Sequence, residues 1–447
     1  MQCPESLRTA CNHPDSLFAL TDEELVRLVH REFSDDLDRL KRAYSIRDGE
    51  VGGDQLPSPS YILYQDNYDE VNRTLVGFLA LRWIHTGQYE RFIGSQPLDH
   101  RLSRESFEWI HRFYAETITD TNTLYALITS IITNDLGKDP KLTSDYYNLT
   151  GIDISHLNHD AILLKACEAG MITSLNQLPL LEKESLLLGI RLGAYLNFGQ
   201  LGQAENAPVC LSVLSRHDAD LRHHSFQLRF MEQLLDIAGA AGHMNWSCAK
   251  KLNQPIFQSY LSVFYACKGV LSGALTVREG YDLVLSRRAE FIHQKGFRLL
   301  RVKEDRYERG LMRLLCMGNA TTKDAANTFE AALGSLEQSI RDALLRALDV
   351  DGSVGEPAVQ PTYMPAFFGY MKDKRALICA LEYLCRVMST KPVVDRSAVL
   401  VERSVLGVLK QHVDSMEFTE DPTTLEGISV PDDAVAMTET TSQTLSI

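Results

Sequence analysis

The chain has 447 residues, of which 45% are hydrophobic and 23% charged, with a formal net charge of −14. A chain of this size and composition can bury a large core without disulfides or other staples, and no apolar run approaches the ~18 residues of a membrane span. Eight acidic residues lie after Lys410, where no Lys or Arg follows, so the body is only mildly acidic and a phosphate-backbone partner is disfavoured.

The N-terminal MQCPESLRTACNHPD shows no basic segment leading into an apolar core, so no signal peptide is expected. Nine scattered cysteines without a CxxC pair read as reduced thiols of a cytoplasmic protein. Residues 1–20 read as an irregular arm. Thr21 then precedes Asp22-Glu23-Glu24 as an N-cap with an acidic first turn, and apolar residues recur at threes and fours from Leu25 to Leu40. RDGEVGGDQLPSPS reads as a loop.

From about residue 68 the spacing predicts helices near 68–85, 104–118, 122–135, 158–169, 181–196, 224–240, 256–272, 277–293, 306–316, 325–348, 370–389 and 397–413. Strand alternation is not convincing anywhere. The expected fold is therefore all-α. The expected divisions are an N-terminal arm and helix (1–60), one main helical domain (61–350) and a small C-terminal helical layer (351–416) reached by a linker at 351–365. Past 417 the acidic, Ser/Thr-rich composition predicts disorder.

Four stretches carry residue types suited to chemistry. In SIITNDLGKDP an aliphatic helix runs into Asn134, Asp135, Lys138 and Asp139. A capped helix end explains this, with Gly137 as a left-handed cap and Pro140 as the stop. A polar wall explains it equally, with Asp135 as an acid or metal ligand and Lys138 as a point charge for an anionic group. HLNHDAILLKACEAG brings His156, His159 and Asp160 one loop later, with Asn158 or Asp160 as helix cap. LNFGQLGQAENAP offers Gln200, Gln203 and Glu205 between glycines that permit close backbone approach, either as substrate-orienting groups or as an inter-helix loop. FMEQLLDIAGAAGHMNW sets Asp236 and His243 seven residues apart around a run of small residues, which allows close packing or a cavity.

The order of these motifs resembles the HD-domain superfamily, whose signature helix ends in His-Asp and is often followed by an aliphatic residue, Gly and Lys. Here the first position is Asn134, so the match is degenerate. The resemblance implies a divalent metal ion held by His85, Asp135, His159, Asp160 and His243, with His111 competing for the early position and Asp236 for the last. It implies metal-assisted hydrolysis of a small phosphorylated or polar substrate, or oxidation at a two-iron site. Asp135, Lys138, His159 and His243 would be catalytic, and Gln200, Gln203 and Glu205 would bind substrate. A second resemblance is to fungal arginine-containing cyclodipeptide synthases, through Glu304-Asp305-Arg306-Tyr307-Glu308, which differs from their DDxxE motif at its first position. That reading implies tRNA as a partner, whereas a solvated helix face with Asp305 paired to Arg309 is the structural alternative. A third possibility is a non-catalytic helical scaffold that binds a ligand or a protein. P-loop, Rossmann, nucleophile-elbow and HExxH patterns are absent from the sequence.

Overall fold

Helix forms wherever apolar residues recur at threes and fours behind a capping side chain. The Asp22–Glu32 helix starts with a full capping box: Glu24 N–H donates to the Thr21 hydroxyl, and Thr21 N–H donates to the Glu24 carboxylate at 2.8 Å. Asp120 caps the Thr121–Thr133 helix, and Asn158 caps the His159–Glu168 helix by accepting from Ala161 N–H at 2.9 Å. The structure is a computed structural model that describes residues 6–43, 57–215, 219–390, 397–430 and 434–438. The chain is all-α, with 68% of the described residues helical. Among the described residues, no helix is long and apolar enough to cross a membrane.

The fold falls into two compact units. One comprises Met1–Ala194 with His217–Gln258, the other Tyr195–Arg216 with Ser259–Ile447. Their boundary runs through the segment that the sequence presents as one continuous helical stretch.

The first unit is built around the Asp69–His85 helix, which is buried nearly all round. It crosses the Ala219–Gly239 helix at backbone distance because both surfaces lack side chains at the crossing. A Cβ on Gly77 would lie 2.9 Å from the Leu235 carbonyl oxygen, and one on Gly239 only 2.2 Å from that of Arg73. Gly242 approaches the Asn72 carbonyl in the same way, at 2.6 Å. The small-residue run at 238–242 is thus close packing. The arm expected to be irregular forms two short helices, Leu7–Ala10 and Pro14–Phe18, whose Leu7, Leu17 and Phe18 are buried. A further helix, Pro140–Thr150, was not legible in the sequence.

In the second unit, helices Val277–Gln294, Arg306–Met317 and Lys374–Ser389 accompany a small sheet. Strands β1 (Ala358–Thr362) and β2 (Ala398–Ser404) pair in parallel, Ala358 opposite Leu400, and β3 (Ala434–Thr438) pairs antiparallel to β2. The expected linker at 351–365 therefore contains a strand, and the expected helix at 397–413 is a strand followed by the Val405–Val413 helix. Short apolar runs such as AVLV fit either period, and a parallel partner decided the outcome here. The expected 325–348 helix is two, Lys323–Ser335 and Gln338–Leu348. The disorder expected from 417 is corrected for residues 417–427. Met416–Glu420 and Pro422–Gly427 are ordered turns of helix that bury Phe418 and Leu425, and the Arg386 guanidinium donates to the carbonyls of Leu425, Glu426 and Ile428. Residues 439–447 lie outside the described residues.

Candidate functional site

Charged groups gather where several helix ends of the first unit meet. Glu70 and Arg73 lie in the first turns of the Asp69–His85 helix. Asn134 ends the Thr121–Thr133 helix, and Asp135 leads into a 3-10 turn, Leu136–Lys138. Asp160 sits in the first turn of the His159–Glu168 helix. Arg229, Glu232 and Asp236 recur at three and four along Ala219–Gly239, so they share one stripe.

Gly137 seats the turn against its neighbour. A Cβ there would lie 1.9 Å from the His159 carbonyl oxygen, so only glycine lets the NDLGK turn and the start of the NHD helix touch. Its backbone is not left-handed, which corrects the expected cap. Asp139 has a separate, structural task. It is fully buried, accepts from Lys141 N–H at 3.0 Å as the cap of Pro140–Thr150, and binds Arg42 at 2.7 Å and Arg39 at 3.2 Å.

The cluster has two linked parts. In the first, Lys138 Nζ lies 2.9 Å from Asp135 Oδ1 and 3.4 Å from Glu70 Oε2, and Arg73 Nη1 donates to Glu70 Oε1 at 2.8 Å. The Glu70 and Asp135 carboxyls are hydrogen-bonded to each other. In the second, Arg229 Nη1 donates to Asn134 Oδ1 at 2.9 Å and to Glu232 Oε2 at 2.6 Å, while Nη2 lies 3.7 Å from Asp160 Oδ1. Gly193 makes room for that guanidinium, since a Cβ there would fall 2.4 Å from Nη2.

Five carboxylates (Glu70, Asp135, Asp160, Glu232 and Asp236) thus face three cations, Arg73, Lys138 and Arg229. Their electrostatics diverge accordingly. Burial, with the Asp135 charge beside it, pushes Glu70 up to about 7. Burial raises Glu232 to about 8 against the pull of Arg229. Asp236 is raised by burial and by the charge of Asp135. Asp135 moves the other way. Burial opposes its ionisation, but Lys138, His159 and the Glu70 hydrogen bond together hold it well below the usual carboxylate range. Lys138 is held above its ordinary value because Asp135 and Glu70 outweigh its burial.

The structure therefore brings together Asp135, Lys138, His159 and Asp160, with Asp236 beside them. His159 is the exposed member, its side chain 40% accessible and its Nε2 3.9 Å from Asp160 Oδ1. His243 lies in the turn after the Ala219–Gly239 helix, half-buried and next to Gly242, which packs on Asn72 and Arg73.

Other expected members are elsewhere. His85 ends the helix that Glu70 begins, about 22 Å away at 1.5 Å per residue; its ring nitrogens lie 3.0 Å from the Tyr114 hydroxyl and 2.9 Å from Asp15. His111 lies on the Arg104–Thr117 helix. Gln200, Gln203 and Glu205 belong to the second unit. Glu205 accepts from Met364 N–H at 2.7 Å, and burial pushes its carboxyl up to about 8. Gln200 accepts from Gln360 of β1 at 2.8 Å, whereas Gln203 is exposed at the end of a short helix. Glu205 and Gln200 tie a loop to the elements beside it. Asp305 of the EDRYE stretch caps Arg306–Met317, and Glu308 binds Arg298 at 2.5 Å. Arg309 pairs with Asp282 at 2.7 Å and Asp349 at 3.1 Å, not with Asp305.

The donor set does not fit the metal centre implied by the HD resemblance. Asn134, at the signature His position, spends its amide oxygen on Arg229, Asp135 is taken by Lys138, and His85 is remote. Among the described residues no group of three or more His, Cys, Asp or Glu side chains is arranged to hold a metal ion. Arg73, Lys138 and Arg229 neutralise carboxylates as a metal ion would. Sequence reasoning missed Glu70, Arg73, Arg229 and Glu232. The available signal was a carboxylate and an arginine three apart inside apolar helices, in EVNR and RFME, where solvated pairs are not expected.

The profile of a family described as of unknown function, DUF6829, matches residues 26–425, and the chain belongs to that family. No curated protein and no solved structure matches it.

Proposed function

We propose that this family member is an enzyme that performs acid–base chemistry, most simply hydrolysis, on a small polar substrate at the carboxylate cluster of its first unit. The observation that carries this reading is the Glu70–Asp135 pair. Two hydrogen-bonded carboxyls share one lysine, yet their environments drive their proton affinities apart, as in acid–base pairs of enzymes. Glu70, poised at about 7, is the proton-transfer group, because a general acid or base works best near the operating pH. It takes a proton from the attacking water and returns it to the leaving atom, so that water adds across the broken bond. Asp135 stays ionised and positions Lys138. His159 lies at the accessible edge, within reach of a substrate. The succession of NDLGK and NHD, seated together by Gly137, supports a site of HD-like layout that uses side-chain cations in place of metal.

A purified full-length sample incubated with a defined metabolite mixture tests this by mass spectrometry. The expected result is time-dependent conversion of at least one compound, reduced at least ~100-fold in Glu70→Gln. Equal conversion by Glu70→Gln, or none by either protein, overturns it.

A non-catalytic reading has one observation in its favour. Arg229 is fully committed to Asn134, Glu232 and Asp160 in the interior, as in a structural ion network. Folded Glu70→Gln protein with unchanged ligand binding and no conversion by wild type would favour it.

A further inference from the structure

Resting on the catalytic reading, we propose that the substrate carries a basic nitrogen, an ammonium or guanidinium group held against Asp236 and Glu232. These two carboxylates stand one helical turn apart on the same face of Ala219–Gly239. Both have acceptors to spare. Glu232 Oε1 is fully buried without a hydrogen-bond partner, although Oε2 is bound by Arg229 and Gln233. Asp236 makes no hydrogen bond or ion pair among the described residues, and it is only half-buried.

The cations nearby are already spoken for. Lys138 bridges Asp135 and Glu70, Arg73 holds Glu70, and Arg229 holds Asn134, Glu232 and Asp160. Five carboxylates against three cations leave the cluster two charges negative when all are ionised. A phosphorylated substrate would bring more negative charge to a site with no uncommitted cation, so the expectation of a phosphate gives way. A point-like metal ion needs several ligands converging at ~2.0–2.6 Å, which the described side chains do not provide. An ammonium or guanidinium instead presents three to five N–H donors over a wider span, which suits two carboxylates a turn apart.

The cluster meets solvent at Asp236, Lys138 and Arg73, whose side chains are partly exposed, Lys138 at 19% and Arg73 at 21%. Before the ligand arrives, protons offset the surplus of negative charge. When the cation binds, Glu232 ionises and one proton leaves to solvent, so cation affinity rises with pH. The groups facing this event are Asp160, Arg229 and Gln233 around Glu232, and Asp135, Lys138, Arg73 and Arg229 around Asp236.

Isothermal titration of the full-length protein with methylguanidine and putrescine, beside inorganic phosphate and magnesium chloride, tests the proposal near pH 6 and pH 8, the interval in which raised carboxyls titrate. At least one organic cation is expected to saturate the protein, about tenfold more tightly at the higher pH. Asp236→Asn should weaken it at least ~tenfold, as loss of a charge-assisted hydrogen bond does. Glu232→Gln should bind while losing most of the pH dependence, and circular dichroism would confirm that both variants fold. No saturation by either cation below ~10 mM, or phosphate or magnesium binding that Asp236→Asn abolishes, overturns the proposal. If neither cation binds while Glu70-dependent conversion is observed, the catalytic reading stands and the cationic substrate falls. If a cation binds while no conversion is found, the catalytic reading and the cationic substrate both fall, and only a cation-binding site at Asp236 and Glu232 stands.

Discussion

Glu232 titrates inside the protein, and the stability of the first unit should show it. Its carboxyl is raised from an ordinary 4.5 to about 8, so the folded chain holds a proton there that the unfolded chain has released. Stability from this group is complete below about pH 4.5 and is lost as pH rises through about 8. Each pH unit between the two values costs about 1.4 kcal/mol, so the whole interval is worth roughly 5 kcal/mol. Glu232→Gln removes the titration and keeps the shape. Its amide places N–H where Oε1 has no partner, which should cost about 1 kcal/mol at low pH. Urea unfolding followed by circular dichroism at half-unit steps from pH 5 to pH 9 would compare the two proteins. The variant should be slightly less stable at pH 5 and clearly more stable at pH 9, with crossing stability curves. Glu70, raised to about 7, slopes in the same direction in both proteins and cancels in the comparison. Asp135 has the opposite sign, but its contribution is lost only as pH falls well below this window. Parallel curves for the two proteins would refute the reasoning, because Glu232 would then be ionised, or its proton affinity unperturbed, in the folded state.

Gly137→Ala should destabilise by about 1–3 kcal/mol or more in urea unfolding, since its Cβ would strike the His159 carbonyl; a change within experimental error would mean that the NDLGK turn and the NHD helix are not in contact. Asp135→Asn should lose roughly 2–3 kcal/mol, because it breaks a charge-assisted bond to Lys138 in the interior, and thermal melting would detect this as a lowered Tm. His85→Ala should cost about 1 kcal/mol through its Tyr114 and Asp15 partners and leave conversion and cation binding unchanged; a loss of either would return His85 to the site. Glu205→Gln should flatten the alkaline loss of stability in the second unit, since that carboxyl is also raised to about 8, and unchanged slope in urea unfolding would contradict it.

Local physics made much of this protein legible. Helix periodicity and side-chain caps depend on neighbours within a few residues, so most of the long helices from Asp69 to Met317, the Thr21 N-cap and the Asn158 cap could be read directly, though not Pro140–Thr150. That NDLGK and NHD touch was not legible, because helix order does not fix helix packing; the contact at Gly137 is a tertiary fact. Tertiary structure decided what depends on distant partners. A run such as AVLV became a strand because β1 lay ready to pair with it, and residues 416–427 became ordered because Arg386 and a buried Phe418 hold them. The candidate site turned on the same distinction. Asp135, His159 and Asp160 carried chemical types at suggestive places, but Glu70, Arg229 and Glu232 looked like ordinary helix charges. Only the close crossing permitted by Gly77, Gly239 and Gly242 buries those charges together, and burial, which no local pattern encodes, gives a common glutamate a proton at neutral pH.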